Sequence, residues 1–130
     1  MDESPPRAEP VARALPHRPL LVAAGVLGAL GVAGAAAASH ADRANLGVAA
    51  NFLLLHAPVL IGLSLLPDSR LVRGAGYALL AGLVLFAGDL ALRDLAGTPL
   101  FALAAPLGGV GLIAGWALVA VTGLFAWRRG

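Results

Sequence analysis

The 130-residue sequence has no cysteine, no lysine and few charged side chains. Without cysteine, disulfides, thiolate metal sites and thiol nucleophiles are excluded. Charged residues make up 12% of the chain, against roughly 25% in a soluble domain. Hydrophobic residues make up 59%, more than a single soluble core of this length can cover. These shortages predict that lipid, instead of water, surrounds most of the chain.

Four apolar runs are long enough to cross a bilayer, which takes about 20 helical residues. They predict helices over residues 20–39, 46–66, 74–92 and 106–127. Because the connections are short, neighbouring helices should be antiparallel. The predicted fold is all-α: an integral-membrane four-helix bundle, up-down-up-down, over residues 20–130. Residues 1–19 mix charge with proline and predict a flexible cytoplasmic tail without a signal-peptide pattern.

The arginines indicate the orientation and the compartment. Seven lie near one set of helix ends and two near the other, so the positive-inside rule places both termini in the cytoplasm. The bias toward alanine, glycine, leucine and arginine hints at a GC-rich bacterial genome. Together with the four apolar runs, a bacterial source predicts a multi-pass inner-membrane protein. The basic residues are scattered beside apolar runs, so the lipid bilayer, and no nucleic acid, is the expected partner. The two sets are Arg7, Arg13, Arg18, Arg70, Arg73, Arg128 and Arg129 against Arg43 and Arg93.

Small residues recur at three- and four-residue steps in the first, third and fourth predicted helices. Such stripes let helix backbones approach closely in membranes, and they predict tight packing. The alternative is that alanine and glycine are simply common in this chain. The proposed packing glycines are Gly28 and Gly31 with Ala24, Ala35 and Ala38; Gly88 with Gly74, Ala78 and Ala81; and Gly108, Gly111 and Gly115 with Ala104.

Asp89 is the one acid well inside an apolar run, and Arg93 follows it by four residues. This order favours a helical ion pair at the membrane rim, with the acid reaching toward water. Two alternatives are a carboxyl that serves a proton or cation path and a hydrogen bond that fixes helix packing. His40 ends the first helix on the same side, so it either joins Asp89 and Arg93 in a polar cluster or is a solvated loop histidine.

The second helix carries Asn51 and His56. At 1.5 Å per residue His56 is about 15 Å deep, as is Trp116 in the fourth helix, so the two should either hydrogen-bond or pack together. His40 and His56 are then roughly 15 Å apart along the membrane normal, too far to ligate one haem or metal. Metal-ligand spacing is absent as well, and no cofactor is expected. The cluster Gly108-Gly109-x-Gly111 lacks the lysine and strand of a phosphate loop and favours close helix packing.

Four segments resemble the YgdD family of small bacterial inner-membrane proteins, whose animal relatives are called transmembrane protein 256. They are AASHA at 37–41, NFLLLHA at 51–57, LFAGDLALRDLAG at 85–97 and APLGGVGLIAGW at 105–116. The family pattern matches His40, His56, Gly88, Pro106, Gly108, Gly109, Gly115 and Trp116. The family commonly has phenylalanine in its glycine-alanine-histidine run, where this chain has alanines and Ser39, and often serine in place of Asp89. The resemblance implies a four-helix membrane protein of a domain of unknown function, with no established activity.

These observations favour a non-enzymatic accessory, assembly or structural component that associates with other membrane subunits or with itself. The alternative is a small oligomeric transporter or channel in which Asp89 or His56 couples protons. An enzymatic or redox role has the least support, because no catalytic serine elbow, phosphate loop or paired carboxylates occur in the sequence.

Overall fold

The computed structural model describes residues 16–127, which form four consecutive α-helices. They are α1 (Arg18–Ala41), α2 (Ala44–Leu65), α3 (Arg70–Leu95) and α4 (Ala104–Trp127). Each is long and apolar enough to cross a membrane. The expected tail up to residue 15, and the arginines at 128 and 129, lie outside the described residues.

Polar residues set the helix ends, which therefore differ from the ends of the apolar runs. The Ser69 hydroxyl accepts a hydrogen bond from the Val72 amide at 3.1 Å. This N-cap starts α3 at Arg70, four residues before the apolar run that begins at Gly74. Asp42 ends α1 in the left-handed conformation (φ 49°), which lets the chain turn into α2 within two residues.

Neighbouring helices pack in opposite directions. Gly28 lies against Ala57, Gly31 against Leu54 and Gly34 against Ala50, so residue numbers rise along α1 as they fall along α2. The largest fully buried apolar side chains are Leu20 of α1, Leu60 of α2, and Leu79 and Leu83 of α3, and Leu112 of α4 joins the same core cluster.

The four helices form an open row and do not close into the predicted bundle. In the described chain α2 packs between α1 and α3, α4 packs on α3, and α1 meets α3 only briefly. Backbone contacts between α1 and α4 are absent from these residues. Closing a bundle hides apolar faces from water, whereas lipid solvates such faces equally well. Since these helices are apolar enough for lipid, closure brings no comparable gain.

Candidate functional site

Asp89 is at the centre of a polar cluster near the C-terminal end of α3. Its side chain is fully buried, with 0% exposure. One carboxylate oxygen accepts a hydrogen bond from Arg93 Nε at 2.8 Å, and the other accepts from the Leu100 amide at 2.7 Å. The expected ion pair is present, but the acid does not reach toward water; Arg93, 40% exposed, carries the pair to the surface. Asp89 thereby fixes the connection between α3 and α4.

A second carboxylate, Asp94, joins the end of α3 to the start of α2, a contact that the sequence analysis does not predict. Its oxygens accept hydrogen bonds from Asn45 Nδ2 and from the Leu46 amide, both at 2.8 Å. The Leu46 amide belongs to the first turn of α2, where backbone donors have no partner within the helix. The available signal was an acid at the end of α3 facing a helix start that lacks its own capping side chain.

His40 does not join this cluster. It is exposed at the end of α1, and both oxygens of Asp89 are already bound to other donors. The structure brings Asp89 and Arg93 together and leaves His40 apart, as in the alternative of a solvated loop histidine.

His56 and Trp116 are joined by a hydrogen bond, one of the two arrangements expected from their depth. The indole Nε1 donates to His56 Nε2 at 3.3 Å, and His56 Nδ1 lies 2.8 Å from the Phe52 carbonyl. A carbonyl can only accept and an indole N–H can only donate, so the contacts require the neutral tautomer with its proton on Nδ1. His56 is buried and its ring stacks on Phe52, with 5.8 Å between ring centroids. The bond links α2 directly to α4, so the row of helices bends at α3 and brings side chains of α2 and α4 together.

Asn51 differs from the other candidates because it faces outward. It lies seven residues from the start of α2, about 10 Å along the helix, among exposed apolar side chains such as Val48 and Leu55. Within residues 16–127 it has no hydrogen-bond partner. Its amide therefore has to find a hydrogen-bond partner beyond the described residues.

The closest helix packing is between α3 and α4 and is made by glycine. A Cβ on Gly108 would lie 2.5 Å from the Phe86 amide nitrogen, and one on Gly82 would lie 2.6 Å from the Leu112 amide nitrogen. Gly111 and Gly115 continue this contact. A Cβ on Gly111 would lie 3.1 Å from the Gly82 Cα, and one on Gly115 would lie 2.7 Å from the Leu79 side chain. The stripe predicted on α4 therefore packs against α3.

Of the stripe predicted on α3, Ala78 borders α4, but the two glycines do not pack. A Cβ on Gly88 or Gly74 would meet nothing within 4 Å, and Ala81 is exposed. The face of α3 that meets α4 instead carries Gly82. On α1 the prediction is correct, because a Cβ on Gly31 would lie 2.8 Å from the Leu54 side chain and one on Gly28 3.5 Å from Ala57. Gly88 lines an apolar groove of about 400 Å³ between α1, α2 and α3.

The contacts of Asp89 and His56 hold parts of the chain in position relative to one another. Both oxygens of Asp89 and both ring nitrogens of His56 are occupied by groups of the chain itself. Among residues 16–127, no group of three or more histidine or acidic side chains is placed to hold a metal ion.

The fold and these contacts define a small all-α protein whose four helices suit a membrane. A family model described as a protein of unknown function (DUF423) matches residues 22–109, and the chain belongs to this family. The matched range covers nearly all of α1, all of α2 and α3, and the first turn of α4. Comparison with curated proteins and with solved structures gives no match.

Proposed function

We propose that this chain is a non-enzymatic accessory or assembly component of the bacterial inner membrane that binds a helix of another membrane subunit or of a second copy. The proposal includes the closer kinship with the YgdD and transmembrane protein 256 group that the motifs around His40, His56 and Trp116 suggest. It depends on the four apolar helices and assigns no substrate.

The proposed topology is up-down-up-down with both termini in the cytoplasm. Arg18 and Arg73 line one pocket at one end of the row, and Arg70 starts α3 there. Arg43 and Arg93 lie at the other end, beside the contact between Leu46 and Asp94. The excess of arginine at the first end supports its cytoplasmic placement.

Asn51 is the observation that carries the proposed association. A polar amide facing hydrocarbon is unfavourable unless it is hydrogen-bonded, and asparagine forms such bonds between membrane helices. Its neighbours on the exposed face of α2, Val48 and Leu55, suit close contact with another apolar helix. The contacts of Asp89 and His56 favour this role over proton coupling, because each side chain is already used to hold the chain together.

The test is extraction of the tagged protein from its native membrane in mild detergent, followed by native electrophoresis and mass spectrometry. We expect a complex larger than the monomer that Asn51→Leu dissociates. The matched variant Asn51→Gln keeps a side-chain amide at the same position and should leave the complex intact. A wild-type protein that runs as a monomer with no co-purifying subunit contradicts the proposal; a homo-oligomer and a hetero-complex are told apart by the mass spectrum.

A further inference from the structure

We propose that a pocket between the start of α1 and the α2–α3 connection binds a phosphate ester, namely the headgroup phosphate of an anionic phospholipid. The pocket holds about 240 Å³ and is bounded by Pro16, His17 and Arg18 on one side and by Asp68 and Arg73 on the other. Leucine and valine side chains form its floor. The proposal needs the membrane location and is independent of the association through Asn51.

His17 provides the first reason. Its backbone amide donates to the Ser64 carbonyl at 2.8 Å, and its ring packs edge-on against Tyr77 with centroids 5.7 Å apart. These contacts hold the ring in the wall of the pocket. Its Nδ1 is shielded from solvent and has no hydrogen-bond partner within residues 16–127. A ligand that draws this ring nitrogen into the pocket lining gives it the partner it lacks, because a phosphate oxygen can accept from its N–H.

Charge provides the second reason. Arg18 makes no ion pair with the described residues, and Arg73 pairs with Asp68 at 3.0 Å. The side chains of Arg73 and Asp68 are 44% and 64% exposed, so this pair is weak and can be exchanged for a better one. Two guanidinium groups against one carboxylate leave the pocket positive. Guanidinium groups bind phosphate oxygens through paired hydrogen bonds.

The start of α1 adds to the positive electrostatic potential of the pocket. It has no capping side chain and no acid in its first turn, although helix starts favour negative charge. Arg18, a cation, stands at this position instead. Pro19 contributes no N–H to this turn, so a bound phosphate is favoured here by the field of the helix start and by the two arginines.

Lipid is favoured over free phosphate by the surface next to the pocket. A larger groove of about 530 Å³ adjoins it and shares Leu63, Leu66 and Val72, and it extends to Val119 of α4. Its walls are mostly apolar and suit an acyl chain. Basic pockets between helices at the cytoplasmic surface are a known setting for anionic headgroups.

The test is native mass spectrometry of the full-length protein released from detergent after exposure to phosphatidylglycerol. Wild type should retain one lipid, and retention should fall about fivefold for each of Arg18→Gln and Arg73→Gln. Arg70→Gln is the matched control, since Arg70 is exposed at the same end but does not line the pocket. Equal retention by wild type and the double variant, or an equal loss in Arg70→Gln, overturns the proposal.

A second arm uses excess inorganic phosphate. Failure of phosphate to displace the lipid supports the lipid as ligand; displacement supports the phosphate chemistry but assigns the site to a soluble ester. A further readout measures binding on the wild-type protein itself. The ¹⁵N signals of His17, assigned by comparison with His17→Gln, should shift when phosphatidylglycerol is added to wild type, and unchanged signals overturn the proposal. Because the measurements use an isolated chain, they do not depend on whether it has a protein partner.

Discussion

Asp89 shows how a single acid can hold two parts of a membrane protein in place. Its carboxylate is buried, and it accepts one bond from its own helix and one from the connection to α4. A buried ion that loses its partner is left uncompensated, which makes such pairs sensitive to substitution.

The substitution Asp89→Asn should lower the thermal midpoint of unfolding in detergent by several degrees. The amide can still accept from Leu100, but it no longer compensates Arg93. Asp68→Asn is the matched control, because Asp68 belongs to an exposed pair that contributes little to stability. Circular dichroism in the same detergent measures the thermal midpoints of both variants. Equal midpoints for the two variants contradict the structural role of Asp89.

The residues in the apolar interior were easier to predict than those at the rim. Counting residues from a helix start gives depth, so His56 and Trp116 were placed at one level, and they are bonded. The sequence does not predict the contacts of Asp94, because they depend on which helix start lies beside it. That neighbour, the first turn of α2, is set by packing and cannot be read from residues near Asp94.

At the scale of elements, α3 and α4 form the tightest pair because glycine removes the side chains between them. Gly82 and Gly108 lie backbone to backbone, with no room for a methyl group on either. Dispersion contacts replace the hydrophobic effect as the main attraction between helices in lipid, and they require this close approach.

We expect Gly108→Ala to separate α3 from α4 and to destabilise the protein by about 1–3 kcal/mol, the usual range for overpacking. Gly109→Ala is the control, since a Cβ there meets nothing within 4 Å. It should be neutral or stabilising by up to about 1 kcal/mol, because alanine favours helix over glycine. Unfolding in a denaturing detergent gives both values. The account of this interface is wrong if the two substitutions have the same effect.

The sequence predicts packing stripes on the helices, but on α3 the predicted stripe includes Gly74 and Gly88, which do not pack, and leaves out Gly82. Gly74 and Gly88 share a stripe with Ala78 and Ala81, whereas the packed glycine, Gly82, follows one residue later. In a soluble helix the polar face identifies the outside. Here lipid-facing and protein-facing sides are both apolar, so composition does not tell them apart.

At the scale of the whole molecule, the open row leaves α1 and α4 at its edges with most of their surface exposed. The number of helices and their approximate spans could be predicted from length and hydropathy. Whether α1 and α4 pack together and close the bundle could not be predicted, because this depends on whether lipid or protein covers the outer faces of the helices. The proposed association with another subunit would use such exposed surface, in particular the outward face of α2 that bears Asn51.

The central claim is that the four helices cross the bilayer alternately, with the ends that bear Arg18, Arg70 and Arg73 in the cytoplasm. The absence of native cysteine makes a single introduced thiol a unique label. Thr98, in the α3–α4 connection, and Asp68, in the α2–α3 connection, are both exposed and lie at opposite ends of α3. Thr98→Cys in intact cells should react with a membrane-impermeant maleimide, and Asp68→Cys should react only after permeabilisation. Labelling of Asp68→Cys in intact cells would contradict the account.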